Sequence, residues 1–116
     1  MKKIVSLFFI LFMVCACGQK YQTITTNEAL KLIDDGATII DVRTEEEYNE
    51  SHIKGAVNIP LDTIDTITYD KDETLIIYCA SGVRSVKAIN KLVDMGYNSL
   101  YNLDGGLINW GSDLEE

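Results

Sequence analysis

Histidine and proline occur once each in the 116 residues, and two of the three cysteines, Cys15 and Cys17, lie at the extreme N-terminus. One imidazole and one thiol in the body of the chain cannot assemble the four-ligand set of a structural zinc site, and nothing else in the sequence points to a metal or a cofactor. Positive charge is scarce as well, with 10 Lys and Arg against 18 Asp and Glu and a formal charge of −8. Such a surface is a poor partner for nucleic acid or anionic lipid headgroups, and an acid excess also keeps a small domain soluble. There is no internal repeat and no second domain. The chain is long enough to bury roughly 60 to 70% of its unfolded surface around one core.

What is present begins with two lysines and an apolar run from Ile4 to Val14. A membrane-spanning helix needs about 20 apolar residues and a signal-peptide core roughly 7 to 15, so the run has signal length. Its end, Val14-Cys15-Ala16-Cys17, resembles a bacterial lipoprotein signal, with an ordinary cleaved signal as the alternative. The resemblance implies removal of residues 1–16 and lipidation of Cys17. It also implies a short tether over 17–22 and a domain over 23–116 that faces outward from a cell membrane or into a periplasm. More than one acyl chain is enough for stable anchoring. A tether from Gly18 to Thr23 reaches at most roughly 20 Å at about 3.3 to 3.6 Å per residue, so the domain works close to the lipid. Loss of Lys2 and Lys3 with the leader leaves 8 basic against 18 acidic side chains, a formal −10.

Thr25 and Glu28 have capping-box spacing, Ala29, Leu30, Leu32 and Ile33 supply an apolar face, and Gly36 can close that first helix. "ATIIDV" is short, apolar and β-branched, as expected of a strand covered on both faces. Thr44 and Glu47 repeat the box and predict a short acidic helix. "GAVNIP" predicts a strand stopped by Pro60, and Leu61, Ile64 and Ile67 a helical turn. "TLIIYC" is another buried strand, and Val83, Val86, Ile89, Leu92 and Val93 trace a helical stripe ending at Gly96. "SLYNL" and "DGGLINW" predict a last strand and a turn into a final helical segment. Alternating short strands and helices make an α/β sandwich with a mainly parallel sheet.

In open parallel sheets ligands sit beyond the carboxyl ends of the strands, where Cys79 falls. Unpaired amides at the following helix start can turn "CASGVR" into a cradle for whatever sits on the sulfur. The same field lowers a thiol from about 8.5 into the range of roughly 3.5 to 7.5 and makes the thiolate a nucleophile. Gly82 lets the backbone turn, and Arg84 offers a positive fork for an oxyanion. A lone cysteine at a strand end is more often inert, but Ser81, Gly82 and Arg84 suit anion binding rather than core packing.

Three stretches carry a resemblance to the rhodanese family of sulfurtransferases, covering about Tyr21 to Trp110. They are Asp41-Val42-Arg43, the aromatic-x-x-x-His-Ile-x-Gly-Ala signature in "YNESHIKGAVNIP", and the Cys-x-x-Gly-x-Arg loop from Cys79 to Arg84. The C-terminal signature departs from the pattern, with Leu103 before Asp104-Gly105-Gly106 and Leu107 and Asn109 in place of an aromatic and a glutamate. Those departures bear on the active-site wall and on access for a sulfur acceptor.

The resemblance implies a rhodanese-like sandwich and a double displacement. The Cys79 thiolate takes the outer sulfur of a small anionic donor such as thiosulfate, sulfite leaves, and a thiol or cyanide then takes the sulfur from the persulfide. Ala80, Ser81, Gly82, Val83 and Arg84 would bind the substrate, with Arg84 on the donor's sulfonate. Related phosphatases and arsenate reductases carry a loop one residue longer, so four residues between Cys79 and Arg84 favour sulfur over phosphoryl chemistry. A binding module that keeps the fold is the other alternative. A monomer is expected.

His52 fits a tethering hydrogen bond better than a general base, and Trp110 and Tyr78 fit the core better than a ligand platform. Asp41 and Arg43 either brace the cradle or form a structural ion pair. Ser81 either donates its hydroxyl to the persulfide or shapes the loop.

Overall fold

In the computed structural model residues 20–116 are described; Cys17 and the signal-like segment lie outside them. Five parallel strands form the central sheet. They are β1 (Gln22–Ile24), β2 (Thr38–Asp41), β4 (Val57–Asn58), β5 (Leu75–Tyr78) and β6 (Leu100–Leu103), in the order β1-β6-β5-β2-β4. The central strand β5 is buried throughout, which is why "LIIY" carries no polar face. Its side chains alternate between two cores. Leu75, Ile77 and Cys79 face one side with Ile40, Val42 and Ile89, and Ile76 and Tyr78 face the other with Ile39, Leu103 and Trp110.

Both capping boxes form as the spacing predicts. Thr25 starts α1 (Thr26–Asp34) and Thr44 starts α2 (Glu45–Glu50), each with reciprocal bonds to Glu28 or Glu47. Leu61–Thr66 is a 3-10 turn that buries Ile64 against α3 (Val83–Asp94), and Gly106–Asn109 is a second one. The stripe expected along α3 is corrected at its start. Ser85, Ala88, Ile89 and Leu92 are its buried residues, while Val83 projects into solvent at the rim of the preceding loop.

Two features escape the periodicity. Strand β1 pairs with β6 through Gln22↔Tyr101 and Thr23↔Asn102, so Gln22 belongs to the sheet and not to a tether. The two-residue strands β3 (His52–Ile53) and β7 (Leu114–Glu115) pair antiparallel outside the main sheet. Neither is long enough to show alternation in sequence.

Candidate active site

Cys79 follows the carboxyl end of the central strand and is 1% exposed. Helix α3 begins three residues later from Gly82, whose φ of 110° is the left-handed turn that favours glycine. Unlike α1 and α2, this helix has no side-chain oxygen on its first amides. The cysteine sulfur takes that place. Gly82 N donates to Sγ at 3.1 Å and Ser85 N at 3.3 Å, so two of the unpaired amides of the helix mouth converge on one atom.

Burial pushes the Cys79 thiol up, and hydrogen bonding from Ser85, Gly82 and Ser81 more than offsets it, leaving the thiol below its ordinary value. The Ser85 hydroxyl lies beside the sulfur as well, but its one hydrogen goes to Asn102 Oδ1 at 2.6 Å, so the amides carry the effect. Ser81 is exposed and acts through its amide.

The far side of the loop is fastened by the second 3-10 turn. Leu107 N donates to Cys79 O at 2.9 Å and Ile108 N to Ala80 O at 3.1 Å. A Cβ on Gly106 would collide with both carbonyl oxygens, so the close approach requires glycine there. Leu107 packs its side chain against the core beside Tyr78 and Trp110. Its amide meets the loop while its side chain lies against that core.

Arg84 is not a free fork. Nη1 donates to Glu47 Oε1 at 2.7 Å and Nη2 to Oε2 at 3.0 Å, which ties the loop to α2. Asp41 and Arg43 form a buried ion pair at 2.7 Å, and Arg43 Nη2 also donates to Ser51 O at 2.7 Å. Burial works against the Arg43 charge, and Asp41 more than compensates. This pair bonds β2 to the chain entering β3; neither residue hydrogen-bonds the sulfur.

His52 stacks on Tyr48 with ring centroids 3.6 Å apart, meets Tyr48 O through Nδ1 at 2.8 Å and lies 3.3 Å from Glu115 through Nε2. It is a tether. Tyr78 and Trp110 are buried, with Tyr78 accepting from Ile53 N and Trp110 donating to Asp113 O. No group of three or more His, Cys, Asp or Glu able to hold a metal occurs among the described residues.

A buried thiol at a strand end, capped by helix amides within a loop of this length, agrees with the comparison to known proteins. The sequence profile of the Rhodanese-like domain matches residues 25–113. The chain belongs to the rhodanese-like domain family. A rhodanese-like domain protein from Staphylococcus aureus is 38% identical and superposes with a TM-score of 0.72, over 81% of this chain and 96% of that one. A human single domain sulfurtransferase is 25% identical with a TM-score of 0.71, over 76% and 93%. A tRNA uridine(34) hydroxylase from Hamiltonella defensa is 32% identical over 101 residues, which are 80% of this chain but 28% of that protein.

In this rhodanese-like domain, sequence reasoning missed Ser85, Asn102 and Glu47 as parts of the site. Ser85 lies one residue beyond the motif, and its partner Asn102 sits on β6. Glu47 was legible only as a helix cap, a role it also fills.

Proposed function

We propose that the protein is a membrane-anchored sulfurtransferase that carries a sulfane sulfur as a persulfide on Cys79. The observation that carries this reading is the convergence of the Gly82 and Ser85 amides on a buried sulfur whose thiol is lowered despite burial. Those donors suit a negative charge on sulfur, either thiolate or persulfide. The thiolate attacks the outer sulfur of thiosulfate, the Cys79 S–S bond forms, and the donor's S–S bond breaks with its electron pair leaving on sulfite. A thiol or cyanide acceptor then takes the outer sulfur and regenerates the thiolate.

The family likeness supports the sulfur chemistry, and Val14-Cys15-Ala16-Cys17 supports a lipid anchor on Cys17. In this reading the anchor enters at the amino edge of the sheet through β1, and Cys79 lies at the carboxyl edge of β5. Both strands run parallel to β6, so the thiol and the start of β1 lie at opposite edges of the sheet. The tRNA substrate in the name of the Hamiltonella relative is not part of this proposal. The match spans 28% of that protein, and the acidic surface here suits a phosphate backbone poorly.

Intact mass measurement of the full chain in detergent, before and after thiosulfate, tests the reading beside Cys79→Ser. One added sulfur atom in the wild type and none in the variant is expected. No addition to a folded protein with a titratable thiol would overturn thiosulfate as donor.

A further inference from the structure

The carboxylate that holds Arg84 is fixed independently of it. Thr44 N and Thr44 Oγ1 each donate to Glu47 Oε1 at 3.0 Å, and the Glu47 amide donates back to Thr44 Oγ1 at 3.2 Å. Glu47 is therefore both the third residue of the α2 capping box and the bidentate partner of Arg84. It cannot follow the guanidinium toward a ligand without undoing the start of its helix. Arg84 first, and then Thr44, hold its carboxyl down at about 2, so it stays ionised wherever the thiol reacts. The same short helix carries Glu45, Glu46 and Glu50 and no basic residue. The sulfur itself is served by amides and needs no guanidinium.

We propose that Glu47 is a specificity-determining residue: by occupying Arg84 it withholds the loop's guanidinium from sulfonate-bearing dianions and so favours over them sulfane donors of low charge, such as the persulfide of a small thiol. The inference rests on the sulfurtransferase reading above. With such a donor, R–S–SH, the Cys79 thiolate bonds to the outer sulfur, the donor's S–S bond breaks, and R–S⁻ leaves with the electron pair while the proton stays on the transferred sulfur. One negative charge enters and one leaves. Attack on thiosulfate instead gathers three negative charges beside an acidic helix with its cation already neutralised.

Glu47→Gln tests this, since glutamine serves in a capping box while losing the charge. The readout is the ratio of kcat/KM for thiosulfate to kcat/KM for a small persulfide whose alkyl group carries no charge. The ratio is expected to rise about tenfold in Glu47→Gln, as expected on releasing a charged hydrogen-bond partner. The gain should vanish in Glu47→Gln combined with Arg84→Ala. In the wild type, added salt should raise the same ratio, a measurement that does not depend on any variant folding. A ratio unchanged by both Glu47→Gln and salt, with sulfur still transferred to Cys79, would overturn the role of Glu47 and leave the sulfurtransferase reading standing. Failure of both donors to load Cys79 would overturn both.

Discussion

The amide of Leu107 donates to the carbonyl of Cys79 at 2.9 Å, across a turn in which Gly106 leaves no room for a side chain. With the Cys79 and Ala80 carbonyls engaged on that side, the Gly82 and Ser85 amides are left pointing at the sulfur. The second 3-10 turn thus orients the cradle from outside it.

Gly106→Ala forces a β-carbon into both carbonyls at a φ of 60°. Backbone strain of this kind costs about 1 to 3 kcal/mol before the collision is counted. Denaturant unfolding should show a loss of at least that size. Alkylation of Cys79 near neutral pH should slow in the folded variant, because the amides no longer converge.

Ser85 and Asn102 form a buried hydrogen bond behind the thiol. Ser85→Ala strands the Asn102 oxygen and should cost about 1 to 3 kcal/mol. The midpoint of the alkylation pH profile should stay nearly fixed, since the Ser85 amide remains. Asn102→Ala frees the Ser85 hydrogen for the sulfur, and its midpoint should move to lower pH. A shift upward in Ser85→Ala would mean that the hydroxyl already serves the sulfur.

Removing one member of the Asp41–Arg43 pair leaves a charge buried without its partner. Asp41→Asn should lower stability by about 3 to 5 kcal/mol in chemical denaturation. The alkylation rate of the fraction still folded should hold, because neither residue hydrogen-bonds the sulfur.

The proposed lipid anchor is tested by fractionation. Cys17→Ala should move the protein from the detergent phase to the aqueous phase, whereas Cys15→Ala should leave it membrane-bound. Retention of the Cys17 variant in the membrane would sink lipidation at that residue.

Much of the fold is legible because its signals are local. Each capping box spans four residues, and β2 and β5 announce themselves as short β-branched runs. Strands β1, β3 and β7 are too short for periodicity to register, and they exist because partners elsewhere supply their hydrogen bonds. Val83 continues the apolar stripe in sequence, yet the helix starts at that residue and its side chain falls outside the packed face.

The sequence by itself determined the α/β class, the place of Cys79 at the end of a buried strand and the loop from Cys79 to Arg84, all of which depend on residues near one another in the chain. Only the tertiary structure decided that Arg84 is taken by Glu47, 37 residues away, that Ser85 answers to Asn102, and that Leu107 holds the carbonyl of Cys79. A donor commits its hydrogen to whichever acceptor packing brings within reach, and separation along the chain does not say which one that will be.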